Sequence, residues 1–234
     1  MSQVDTRLDV ATHLQAVRER IRAAEARYGR APGSVTLLAV SKQQPIERLR
    51  AAYAEGQRAF GENYLQDALP KMDALADLSG IDWHFIGRIQ GNKTRAVAER
   101  FAWVHSLCDL GHARRLAAQR PPTLPPLRAC VQVNLSGEAT KGGLPPEAVA
   151  DFIGACAELP GLAIVGLMTL PAPAPTEAEQ RLPFAALRAL RDRLASPCRP
   201  LPELSMGMSD DLEAAVAEGA TIVRIGTAVF GPRG

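Results

Sequence analysis

The sequence predicts an α/β fold, a single (β/α)8 TIM barrel with an extra N-terminal helix. Three observations predict it. Short apolar runs rich in β-branched residues alternate with amphipathic stretches along the chain, the pattern of a parallel sheet with crossover helices. Runs such as LLAV and CVQV are apolar on both faces, as strands buried between an inner core and a ring of helices must be. Eight such runs fit in 234 residues, and eight strands close a barrel of about 250 residues. An open doubly wound sheet is the competing architecture.

The elements follow in order. Val4, Leu8, Ala11, Leu14, Val17, Ile21 and Ala24 recur at spacings of three and four, the stripe of a helix. Residues 28–33 (YGRAPG) break it. The first strand is expected at 35–40 (VTLLAV), followed by a helix that Pro45 opens and Gly56 ends. A short strand at 58–60 leads into a helix over 63–78. The third strand, 83–86 (WHFI), precedes a helix at 92–100, and the fourth, 103–106, a helix at 110–119. The fifth, 128–133 (RACVQV), is followed by a Gly-rich loop and a helix at 146–158. The sixth, 163–167, precedes a long helix at 177–194. The seventh, 203–205, precedes a helix over 210–218 that starts on two aspartates, and the eighth is 221–225. No room remains for a full final helix, so the N-terminal helix is expected to take that place in the outer ring. One domain over 1–234 is expected. The Pro-rich stretches at 121–126 and 171–175 read as surface loops, the second at the rim where a lid would sit.

Composition narrows the function. The chain is 47% hydrophobic and 22% charged, ordinary for a soluble globular protein. A formal net charge of +2 gives no large basic field, which argues against nucleic acid or an anionic membrane as partner and leaves room for a small anion. Cys108, Cys130, Cys156 and Cys198 lie far apart with no C-x-x-C pair, as expected of thiols in a reducing compartment. No signal-peptide run opens the chain, and the greasiest stretch, 162–170, is too short to span a bilayer. A cytoplasmic protein without membrane contact is expected. No H-E-x-x-H, Walker or G-x-S-x-G motif occurs, and no metal site is expected.

In a barrel the chemistry sits where strands end and βα loops begin. Lys42 directly follows the first strand. Desolvation there lowers an amine's pKa, and a neutral amine attacks an aldehyde to form an imine. The plain alternative is a lysine snorkelling to solvent. The loops after strands seven and eight often bind phosphate. Here they carry Met206-Gly207-Met208-Ser209 and Gly226-Thr227. Ser209 either caps its own helix or donates its hydroxyl to an anion at that helix start. Gly226 permits close backbone approach, and Thr227 adds a hydroxyl. Arg224 lies between two aliphatic residues of the last strand. It is costly there unless it pairs with a carboxylate or faces the mouth. Facing a ring nitrogen, it would keep that nitrogen unprotonated. Asn63, His84, Asn134 and Lys141 are further polar candidates, with His84 read as a hydrogen-bonded core histidine.

These residues also carry a resemblance. The stretches LLAVSK with Lys42, FGENYLQ from Phe60, WHFIGRIQGNK from Trp83, VNLSGEATKGG from Val133, GLMTL from Gly166 and LSMGMSDDLEAAVAEGATIVRIGTAVFG from Leu204 run in order across nearly the whole chain. In these the chain resembles the pyridoxal phosphate homeostasis proteins (the YggS/PROSC family), whose fold is similar to the N-terminal barrel of alanine racemase. LSMGMSDD together with VRIG is the most specific part. Arg88 and Gly91 stand at positions that vary among members, which bears on that loop's contacts and not on the cofactor site.

The resemblance implies that pyridoxal 5′-phosphate (PLP) is held as a Schiff base on Lys42. Ser209, Gly226, Thr227 and the backbone near Met208 would hold its phosphate. Arg224 would face the pyridine nitrogen, and Asn63 would lie near the cofactor. It implies a non-catalytic carrier in intracellular vitamin B6 homeostasis, a monomer, with apo-forms of PLP enzymes as possible recipients. An amino-acid racemase is the alternative. Racemases of the similar fold take a second base, a tyrosine, from a second domain, and none is expected here. Of Tyr28, Tyr53 and Tyr64, only Tyr64 lies near an expected mouth loop. A Schiff-base aldolase barrel would suit Lys42 but leaves Arg224 and the phosphate loops unexplained.

Overall fold

The computed structural model describes residues 3–136 and 142–231, with side chains from residue 9 onward. Helix α1 (Gln3–Arg27) precedes β1 (Thr36–Val40). The alternation continues through α2 (Ile46–Ala54), β2 (Ala59–Glu62), α3 (Leu65–Ala74), β3 (Asp82–Phe85), α4 (Thr94–Arg100), β4 (Trp103–Leu107) and α5 (Leu110–Gln119). Then come β5 (Leu127–Gln132), α6 (Val149–Cys156) behind one 3₁₀ turn (Pro146–Ala148), β6 (Leu162–Met168) and α7 (Glu177–Leu194). The chain ends with β7 (Glu203–Ser205), α8 (Leu212–Ala217), β8 (Ile222–Ile225) and the single turn α9 (Thr227–Phe230). The eight strands form a closed parallel barrel in sequence order. Closure is made by β1 on β8, with Leu38 opposite Arg224 and Ala39 opposite Ile225. That ladder leaves no sheet edge and excludes the doubly wound alternative.

Side chains alternate along the strands. Leu37 and Ala39 of β1 join the large core between strands and helices, while Leu38 joins a separate inner cluster with Trp103, Cys130, Met168 and Ile222. Helix α1 buries Val10, Leu14, Val17, Ile21 and Ala24, the four larger side chains contributing about 1.5–3 kcal/mol each. It packs against α2, α8 and α9. It thus fills the ring position that the one-turn α9 leaves open, as the sequence pattern implied. No described helix is long and apolar enough to cross a membrane.

Among the boundaries that differ from the sequence expectation, three shape the mouth. Strand β2 runs on to Glu62, because its ladder with β3 continues through Gly61–His84 and Glu62–Phe85. Helix α3 begins at Leu65, so Asn63 and Tyr64 stay in the loop. Helix α8 begins at Leu212 rather than residue 210, because the chain turns at Gly207 (φ +97°) and the Asp211 carboxylate accepts the Met208 N–H at 2.5 Å. A Cβ on Gly207 would lie 2.5 Å from that of Ala215, so the turn has room for glycine alone.

Candidate functional site

A cavity of about 460 Å³ opens at the C-terminal ends of the strands. It is lined by all seven residues expected there: Lys42, Asn63, Met208, Ser209, Arg224, Gly226 and Thr227. Lys42 is half-buried, on the loop after β1. Asn63 is carried by the loop after β2, where its backbone packs on Gly87. A Cβ at Gly87 would lie 1.9 Å from the Asn63 carbonyl oxygen. Ser209 lies on the loop after β7, and Thr227 opens α9 directly after β8, the strand that pairs with β1. Ser209 is not a helix cap, since α8 starts beyond it.

The loop carrying Ser209 is fastened from outside. Arg20 of α1 donates to the Ser209 carbonyl at 3.1 Å and, through two nitrogens, to the Glu213 carboxylate at 3.0 and 2.9 Å. The Met208 N–H is already engaged by Asp211, whose carboxyl burial pushes up while that N–H and Arg224 oppose the shift.

Arg224 is only 5% exposed, yet it has no carboxylate partner within ion-pair distance among the described residues. It donates to Ser205 Oγ at 2.7 Å and to the Thr169 carbonyl at 2.9 Å. The ion-pair reading of this residue is therefore replaced by hydrogen bonding to neutral groups at the cavity wall. Burial lowers its pKa to about 10, with Asp211 opposing, so the guanidinium stays charged at neutral pH.

The contacts continue inward. Ser205 Oγ lies 2.7 Å from His105 Nδ1, and His105 Nε2 lies 2.9 Å from His84 Nδ1. Arginine only donates, so Ser205 accepts from it; the serine–histidine and histidine–histidine contacts then run in one direction or the other with the tautomer of His105. Both rings are neutral at pH 7: burial, then Arg128, takes His84 down to about 3, and burial, then His84 and Arg224, takes His105 well below its usual value. His84 also stacks on Trp103 at 5.1 Å. It is the core histidine the sequence suggested, not a mouth residue.

Two other polar candidates remain, Asn134 and Lys141. Asn134 does not line the cavity; its Oδ1 accepts from the backbone N–H and hydroxyl of Ser136. Lys141 lies outside the described residues. Sequence reasoning passed over Gln44, Ile86, Met168 and Leu170, which also line the cavity. Ile86 and Met168 stand at strand ends, a signal that was available. Gln44 had none.

The fold and site define a barrel of the alanine racemase N-terminal type, with a lysine, two hydroxyl-bearing residues and a buried arginine lining one cavity at its mouth. Residues 12–234 match the family model described as alanine racemase, N-terminal domain. The chain belongs to that family and, within it, to the pyridoxal phosphate homeostasis proteins. It is 54% identical over 224 residues to the pyridoxal phosphate homeostasis protein of Pseudomonas aeruginosa, covering 96% of each chain. It is 46% identical over 230 residues to that of Escherichia coli K12, covering 96% of this chain and 97% of the relative. The solved structure of PipY from Synechococcus elongatus PCC7942 with PLP bound matches with a TM-score of 0.84 at 38% identity, covering 95% of this chain and 100% of PipY. Alanine racemase from Corynebacterium glutamicum, at 19% identity and a TM-score of 0.66, covers 94% of this chain and 62% of its own; it shares the fold.

Proposed function

We propose that this protein is a single-domain, monomeric, cytoplasmic carrier that binds PLP reversibly as a Schiff base on Lys42. It would serve intracellular vitamin B6 homeostasis, with apo-forms of PLP enzymes as recipients. The observation that carries the reading is one cavity bringing a lysine, a buried cationic arginine and two small hydroxyl side chains together at a barrel mouth. The names of the relatives and the PLP-bound state of PipY support it.

The residues fit the cofactor. Asn63 Oδ1 is buried at the cavity without a hydrogen-bond partner among the described residues, an orphan that a bound polar group would satisfy. Arg224 uses two of its five N–H groups on Ser205 and Thr169 and keeps donors for the cavity. When bound, PLP supplies an aldehyde for a neutral amine and a pyridine ring that withdraws electrons. Lys42 would take the aldehyde, and Ser209, Gly226 and Thr227 the phosphate, with the backbone near Met208 once its N–H leaves Asp211. Arg224 does not give up its proton at neutral pH, so facing the ring nitrogen it would hold that nitrogen unprotonated and weaken the electron sink. That favours holding the cofactor over turning a substrate over.

The racemase alternative needs a second base. Tyr28 donates to Glu177 and Tyr53 to the Ser79 carbonyl, while Tyr64 is 54% exposed and is not among the lining residues.

Protein incubated with PLP, reduced with borohydride and digested tests the linkage. The modification is expected on the Lys42 peptide, and its appearance on another lysine overturns the assignment. Incubation with single-enantiomer amino acids is expected to leave their configuration intact; rapid conversion to the opposite hand would establish the racemase instead.

A further inference from the structure

Behind Lys42 lies a buried charged cluster that does not line the cavity. Lys71 of α3 is 4% exposed. Its ammonium donates to the Ser41 carbonyl at 2.7 Å, to Glu62 Oε1 at 2.8 Å and to Asp67 Oδ2 at 2.9 Å. All three of its hydrogens are thereby used. The Ser41 hydroxyl donates to the same Glu62 oxygen at 2.7 Å, and the Ser41 N–H continues the strand ladder to the Gly61 carbonyl at 2.9 Å. On the other side of Lys42, the Gln43 N–H donates to Asp67 Oδ2 at 2.7 Å.

The residues before and after Lys42 are thus pinned to one cluster. Gln43 is also the one described non-glycine residue in the left-handed region, at φ +57°. That conformation costs about 1–2 kcal/mol and persists only where its surroundings enforce it. Here the enforcing contact is Asp67.

An isolated ion cluster that served stability alone would have no need to converge on these two backbone positions. We propose that Glu62, Asp67 and Lys71 are positioning residues for Lys42, holding the backbone of residues 41–43 so that its side chain meets an aldehyde whose phosphate is anchored by the segments after β7 and β8. This rests on the functional reading above. In the covalent step the neutral amine nitrogen forms a C=N bond to the aldehyde carbon. The aldehyde oxygen leaves as water with the two amine hydrogens. The step depends on orientation, because the amine must approach the carbonyl at near-attack distance. A loop free to wander would lose that approach without losing the phosphate grip, since Ser209 and Thr227 stand on other loops.

The test compares wild type with Asp67→Asn and Glu62→Gln, both isosteric. Three quantities are read: the rate of covalent attachment of PLP at Lys42, the dissociation constant for pyridoxine 5′-phosphate, and amide exchange of residues 41–44 in the ligand-free protein. Pyridoxine 5′-phosphate carries an alcohol in place of the aldehyde and cannot form the bond. Asp67→Asn is expected to slow attachment about tenfold, the size of a lost orientation effect, to leave pyridoxine 5′-phosphate binding within about twofold, and to speed exchange at 41–44. Glu62→Gln is expected to act in the same direction.

Unchanged attachment in folded variants would overturn the proposal. So would an equal loss for both ligands, which marks general collapse of the cavity. Should Glu62→Gln fail to fold, Asp67→Asn, altering the more exposed carboxylate, decides alone. If wild type attaches nothing at Lys42, the functional reading falls; exchange at 41–44 then judges the clamp by itself, faster in Asp67→Asn upholding it and unchanged exchange overturning it.

Discussion

Behind β1 the barrel buries a carboxylate and an ammonium, Glu62 and Lys71, with the half-buried Asp67 carboxylate also within hydrogen-bond distance of Lys71. Across the interior, from β8 to β3, it buries one guanidinium against neutral groups only, a carbonyl, a hydroxyl and two uncharged imidazoles in file. Each cluster holds one cationic side chain almost out of reach of water. The first offsets the loss of hydration with opposite charge. The second offsets it with aligned dipoles. The difference teaches where each is fragile. An ion cluster fails when a partner is removed, since a bare charge remains in low dielectric. A dipole chain fails when one of its neutral members is forced to take up charge.

The largest expected effect comes from breaking the ion cluster. Lys71→Met should cost about 3–5 kcal/mol, the usual penalty for orphaning a buried charge, read as a shift in urea-unfolding free energy. Adding Glu62→Gln should restore part of the loss, because the orphan is then neutral. A cost below about 1 kcal/mol, near that of an ordinary exposed pair, would break the comparison. It would mean that Glu62 is protonated, a state its burial favours and Lys71 opposes. The cluster would then be little more ionic than the chain across the barrel.

The next effect concerns acid. His84 titrates near 3 in the fold, well below the usual 6.5, and His105 is depressed as well. A depressed folded pKa means that the unfolded chain binds the proton first. The stability these rings confer is complete above about pH 6.5 and drains away as pH falls towards the folded value. Each ring should contribute a slope of about 1.4 kcal/mol per pH unit in that window. Glu62, raised by burial, acts in the opposite sense, while Asp67 is first pushed up by burial and then drawn below its usual value by the Gln43 N–H and Lys71. Unfolding free energies at pH 7, 6 and 5 should therefore be compared between wild type and His84→Leu. The variant should lose one ring's share of the slope. An identical slope would show that His84 is protonated in the fold and that the chain is not neutral.

Much of the barrel was legible because it is periodic. Eight apolar runs, the stripe of α1 and the short tail after β8 each follow from spacing alone. The seven cavity residues were legible through topology: once strands are counted, their C-terminal ends are known. The two buried clusters were not. Glu62 and Lys71 sit in stretches that look like a loop and an ordinary helix face, and burial of a charge leaves no mark on periodicity. His105 and Ser205 are pointed inward by strand alternation, but their alignment with Arg224 depends on β4, β7 and β8 meeting across the interior. The late start of α8 was hidden for a different reason. Asp210-Asp211 reads as an acidic first turn, whereas Asp211 spends its carboxylate on the Met208 N–H.

The smallest expected effect on stability sharpens the comparison by a third case, the hydroxyl loops, where no charge is buried. Ser209 is half-buried and Thr227 exposed. The double variant Ser209→Ala, Thr227→Val should leave unfolding within about 0.5 kcal/mol of wild type, as surface changes do. Its effect should appear only with ligand. Two hydroxyl hydrogen bonds to an anionic phosphate are charge-assisted and each worth about 1.5–3 kcal/mol, so binding of PLP should weaken about a hundredfold or more. Binding of pyridoxal, which lacks the phosphate, should hardly change. Isothermal titration with both compounds separates the outcomes. Equal weakening of the two would place these side chains on the ring or the aldehyde instead, and would move the anion grip to backbone donors that the substitutions leave in place.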